Sequence, residues 1–101
     1  MDIKAEFIKA KLKNEQKIID EQIDLENRIK RVGEYAANEM NTKDTYVKSS
    51  KTFHIKLDEN HKIIKDKEIN AMANKFKEWS ADIEKHEDVN GYITQIWVRI
   101  N

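Results

Sequence analysis

Several things are missing from this 101-residue chain, and each absence removes a class of protein. There is no cysteine, so disulfides and thiolate metal sites are excluded. There is no proline, and glycine occurs twice, at Gly33 and Gly91. Disordered linkers are usually rich in both. With so little glycine, a backbone cradle for nucleotide phosphates is not expected. Net charge is missing too. Nineteen basic residues balance nineteen acidic ones, which gives no global field toward DNA or anionic lipid. No apolar run approaches the roughly 18 residues of a membrane span. The opening MDIKAEFIKAKLK is too charged for a secretory signal, so a cytoplasmic protein is expected.

What is present is charge, at 38% of residues, finely mixed with apolar positions at helical spacing. From Asp2 to Asn41 only Gly33 speaks against a helix. Asp2 is a fitting N-cap, and Glu6 suits the positive end of the helix dipole. Two apolar stripes run along this segment. One is Ile8, Leu12, Ile19 and Ile23. The other is Ile18, Leu25, Ile29, Val32, Ala36 and Met40, with Gln22 as its polar interruption. They are offset by about 100° of rotation. An unbroken helix of this length measures about 60 Å. A compact domain of the chain's size is only about 30 Å across. Either the helix breaks near Asn14 or Gly33 and folds back, or half of it projects. The projecting reading is favoured, with the second stripe as the association surface.

Asn41–Ser50 is polar and reads as a loop in which Tyr46 and Val47 give a faint edge-strand signal. Thr52–Leu57 alternates, with Phe53, Ile55 and Leu57 on one side. A turn-type cluster, Asp58 to His61, then suggests a β-hairpin to Lys62–Ile64. Asp66 reads as the N-cap of a second helix running to His86, with apolar positions Ile69, Met72, Phe76, Trp79 and Ile83. Asn90-Gly91 would stop it. Tyr92–Ile100 reads as a strand with apolar residues on both faces. The fold expected is therefore one α+β domain over 1–101. A long helix over 1–41 precedes a ββαβ head over 51–101, with a small antiparallel sheet of order 2-1-3. The second helix would cover one sheet face and the long helix the other.

The sequence holds no catalytic signature. Ser49, Ser50 and Ser80 lie in no nucleophile motif, and paired acids such as Asp58-Glu59 and Glu87-Asp88 fall in turns. His54, His61 and His86 sit on a strand, at a turn and near a helix end. Only His54 and His61 could meet across the hairpin. No enzyme, metal or cofactor is expected. Lys48, Lys51, Lys56, Lys62 and Lys65 mark a surface for nucleic acid or a partner, with Tyr92 and Trp97 as conceivable base-stacking rings. The local excess over acids is small, which makes nucleic acid the alternative reading.

In size and composition the chain resembles small accessory proteins of bacteriophages and mobile elements of AT-rich bacteria, anti-CRISPR inhibitors among them. The resemblance implies a protein that binds and blocks a target, and it transfers no functional residue. The leading expectation is a non-enzymatic interaction module. It self-associates as a homodimer or higher oligomer through the N-terminal helix and binds a protein target. A phage structural subunit is the further alternative.

Overall fold

The computed structural model describes residues 2–101. It has an α+β fold in which a long N-terminal helix precedes a small antiparallel sheet. Helix α1 spans Ile3–Thr42 without a break. Strands β1 (Tyr46–Val47) and β2 (Thr52–Lys56) follow, then a 3-10 turn (Asp66–Glu68), α2 (Ile69–Glu78), β3 (Ala81–Glu87) and β4 (Ile93–Ile100). The four strands pair in the order β1-β2-β4-β3, every pair antiparallel.

Helix α1 starts where the carboxylate of Asp2 accepts the N–H groups of Lys4 and Ala5 at 3.1 and 3.3 Å. It runs through Asn14 and Gly33, the two expected break points. Asn14 stays within the helix and donates its side-chain amide to the Ala10 carbonyl at 2.7 Å. Gly33 has a packing role instead. A Cβ there would lie 2.5 Å from Cζ3 of Trp79, so the missing side chain lets the indole lie against the helix.

One apolar cluster forms the core. Ile29, Val32 and Ala36 of α1 meet Ile55 of β2, Met72 and Phe76 of α2, and Ile93, Ile96 and Val98 of β4. Both helices therefore cover the same sheet face, contrary to the expectation of one helix per face. A β-bulge explains why. His86 and Glu87 pair with Gln95 and Ile93, which leaves Thr94 as an extra residue. The bulge turns Ile93 to the core side along with Ile96 and Val98. Trp97 is then the one large apolar side chain of β4 on the outer face, and a second cover is not needed.

Three further expectations are corrected. Lys62–Ile64 is not a strand, so the hairpin from Thr52–Leu57 and the 2-1-3 order do not form. On one edge β2 pairs with the short β1, with Tyr46 opposite Phe53. On the other it pairs antiparallel with the final strand β4, as expected, with Ile55 opposite Ile96. Ile64 is still fully buried, and its carbonyl accepts the Ile93 N–H at 2.8 Å. The second helix ends at Glu78 rather than His86, and its other half is strand β3. Ser80, at φ 60°, reverses the chain between them. Gly91, at φ 78°, sits in the β3–β4 turn rather than at a helix end. Asp66 opens the 3-10 turn and pairs with Lys85 instead of capping a helix.

The molecule measures 67 × 29 × 19 Å, with a radius of gyration of 18.0 Å. A compact chain of this length would have about 13 Å. The difference is the N-terminal half of α1, which leaves the head near Leu25 and projects.

Candidate interaction surface

The boundary between anchored and projecting helix falls at Arg28. Its guanidinium holds both carboxylate oxygens of Glu68, at 2.9 and 2.8 Å, and donates to the Ile63 carbonyl at 3.0 Å. It also reaches Asp24 one turn earlier, at 3.0 Å. Glu68 accepts the Lys65 N–H at 3.0 Å. These bonds hold the Glu68 carboxyl below the usual carboxylate range, with Arg28 the largest cause. Further along α1, the Tyr35 hydroxyl donates to the Lys56 carbonyl at 3.0 Å. Burial and the neighbouring Glu39 carboxylate push that phenol up to about 12. The helix direction is thus fixed by a bidentate ion pair and a packed core, not by a hinge.

Beyond Arg28 toward the N-terminus, only Leu25 packs against the core. Ile3, Phe7, Ile8, Leu12, Ile18, Ile19 and Ile23 are all about half exposed or more, Phe7 reaching 71%. Scattered exposed apolar residues are ordinary, but a continuous stripe on one rigid helix is not. Ile8, Leu12, Ile19 and Ile23 form that stripe, about 100° round the helix from the face that enters the head.

The residues expected to drive association are mostly engaged inside the chain. Ile29, Val32 and Ala36 are core, at 2%, 0% and 1% exposure, and Leu25 and Met40 pack at its edge. Only Ile18 of that set remains free, at 55% exposure. The reason is steric economy in the head. Its sheet face needs a second helix, and the stripe that continues past residue 23 through Leu25 to Met40 is the one that supplies it. The free surface is the other stripe, which the sequence displayed equally well but which stops before the head begins.

The lysines do not form one surface. Lys48 and Lys51 flank the β1–β2 turn and are exposed, as is Lys56. Lys62 pairs with Asp88 at 3.2 Å and with Glu59 at 3.5 Å. Lys65 lies 3.5 Å above the centre of the Tyr92 ring and donates to the Asn90 carbonyl. The two aromatic rings considered as base platforms are therefore already covered: Tyr92 by Lys65, and Trp97 by His54. His54 stacks on Trp97 at 3.9 Å with planes 6° apart, and His86 leans on the same indole at 4.7 Å. Nε2 of His54 and Nε1 of Trp97 are enclosed without a hydrogen-bond partner.

His61 does not approach His54. It stacks on Tyr35 at 4.1 Å, and its Nδ1 lies 2.6 Å from Asp58. Among the described residues, no group of three or more His, Asp or Glu side chains is placed to hold a metal ion. An apolar cleft of about 370 Å³ lies between α1 and the head, lined by Gly33, Ala37, Met40, Phe76, Trp79 and Ile100 among others. It has few polar groups to orient a substrate.

Fold and surface together define a small α+β head with a rigid helix projecting from it, its free apolar stripe pointing at nothing in the chain. Among the described residues no helix is long and apolar enough to cross a membrane. Comparison with protein-family models, with curated proteins and with solved structures finds no match.

Proposed function

We propose that the protein is a non-enzymatic interaction module that self-associates through the projecting half of α1 and presents its head to a protein target. One observation carries this reading: the Ile8, Leu12, Ile19 and Ile23 stripe is exposed along a helix that the head cannot cover. Each such side chain is about half exposed and so forgoes roughly 1 kcal/mol of further burial while it faces water. The ion pair of Arg28 with Glu68 supports the reading, because it aims the helix away from the head instead of letting it fold back.

The test is solution mass by light scattering, for the natural chain and for Leu12→Glu and Ile19→Glu. Both residues lie outside the core, so the variants keep a folded head, which circular dichroism checks. The natural chain is expected as a dimer or higher oligomer and both variants as 12 kDa monomers. A natural chain that stays monomeric at high micromolar concentration overturns the self-association reading.

A further inference from the structure

We infer that the occupant of the exposed stripe is a second copy of this chain lying antiparallel, with a two-fold axis passing between Glu15 and Gln16. This rests on the self-association reading above and adds the partner's orientation and register to it.

The stripe is the first observation. Ile8 and Ile23 are equidistant from the midpoint between residues 15 and 16, and so are Leu12 and Ile19. When two copies lie antiparallel about that point, Ile8 meets the partner's Ile23 and Leu12 meets the partner's Ile19. A two-fold axis repeats both contacts. A self-complementary patch of this kind is what a closed dimer needs. The pair at positions 8 and 12 recurs eleven residues on at 19 and 23. Eleven residues are close to three full turns, so the four side chains stay on one nearly straight line. The remaining exposed apolar residues, Ile3, Phe7 and Ile18, follow the line of the core stripe and have no such symmetry.

Charge is the second, independent observation. Residues 4–13 carry Lys4, Lys9, Lys11 and Lys13 against Glu6 alone. Residues 20–26 carry Asp20, Glu21, Asp24 and Glu26 and no base. The antiparallel dimer lays each basic block along the partner's acidic block. A two-fold axis of this kind pairs residues on the same flank of the stripe. Lys4 then comes within one residue of level with the partner's Glu26, and Lys9 within two residues of its Asp20, both within reach of a lysine side chain. A parallel dimer would set basic against basic and acidic against acidic, so the pattern selects orientation as well as partner. Two like-charge meetings remain. One is Glu15 near its own copy at the axis, where Lys11 already pairs with Glu15 within the chain at 3.8 Å. The other is Glu6, level with the partner's acidic block but on the side of the helix away from the stripe. Glu26 also lines the groove where α1 joins α2, at the level the partner's Lys4 reaches; Glu78 in that groove is already paired with Lys75 at 3.0 Å.

The chain has no cysteine of its own, which makes the test clean. Lys4→Cys and Glu26→Cys, each exposed on α1, are spin-labelled separately, and distances are read by pulsed dipolar spectroscopy. The antiparallel register expects about 35 Å between labelled residues 4 in the two copies and about 32 Å between residues 26, at 1.5 Å per residue. A mixture of the two labelled variants adds a separation under about 20 Å between residue 4 of one copy and residue 26 of the other. A parallel dimer reverses this, with short like-to-like distances and about 33 Å in the mixture, and it overturns the inference while leaving self-association standing. A 4-to-4 distance displaced by about 10 Å, one heptad of rise, overturns the register. A 12 kDa monomer with no intermolecular dipolar signal overturns the inference and the self-association reading together.

Discussion

Arg28 of the long helix grips both carboxylate oxygens of Glu68, 40 residues away in sequence, at 2.9 and 2.8 Å. Its side chain is 24% exposed and that of Glu68 is 14%. A bidentate pair this sheltered contributes more than a surface ion pair, and removing one partner leaves the other partly buried and unmatched. Arg28→Ala is expected to cost about 2 kcal/mol in urea unfolding. Because the folded Glu68 carboxyl sits below its unfolded value, its contribution is complete above the ordinary glutamate pKa. It is lost as pH falls through the lower folded value. Glu68→Gln should therefore lower stability near neutrality and flatten the acid limb of the stability curve. An unchanged acid limb would show that the pair does not supply that pH dependence.

Ile29 is 2% exposed and touches core residues from the sheet and α2. Ile29→Ala is expected to destabilise by about 2–4 kcal/mol, and Ile29→Asp to unfold the head. Leu12→Ala, on the same helix but in solvent, should leave the monomer's stability within about 0.5 kcal/mol. Thermal melts of monomeric protein at low concentration separate the two sites. Equal losses at both would mean the projecting half is packed against the head.

Gly33 and Trp79 are a close-approach pair. In Gly33→Ala the new Cβ would come within 2.7 Å of Cη2 of the indole. Trp79 is 42% exposed, so the ring can swing outward. Gain of helix propensity, about 1 kcal/mol, then offsets the lost packing, and net stability should move by less than about 1 kcal/mol. The signature is optical: a red shift in Trp79 emission, read in a Trp97→Phe background. Unmoved emission would contradict the contact.

Ser80 holds φ 60° between α2 and β3, a conformation that costs a side chain roughly 1 kcal/mol and glycine almost nothing. Ser80→Gly should raise stability by about 0.5–1 kcal/mol, and Ser80→Val should lower it by more. A stability loss in the glycine variant would point to a role for the hydroxyl instead.

The sequence alone determined the N-terminal amphipathic helix, its Asp2 cap, the alternation of β2, the final strand and the α+β class. Each is carried by local periodicity or by a single capping side chain, and neither needs the rest of the molecule. That the helix runs unbroken through Asn14 and Gly33 was decided only by the tertiary structure. The sequence also displayed both apolar stripes of α1, but could not say which one the head would take. That choice depends on which face of the sheet lacks cover, and the bulge at Thr94 decides this by turning Ile93 inward. The same is true of β3. Ile69, Met72, Phe76, Trp79 and Ile83 keep a helical spacing to the end, while Ala81 and Ile83 also alternate as a strand. Ile83 fits both periods, and no proline or glycine marks the break. Pairing with the edge of β4 settles the matter in favour of strand, because β4 would otherwise leave a row of unmet hydrogen bonds. Ile64, read as a strand residue, is a buried loop residue whose carbonyl accepts the Ile93 N–H at 2.8 Å. Tertiary packing thus decided between the two stripes, making one the core and leaving the other in solvent.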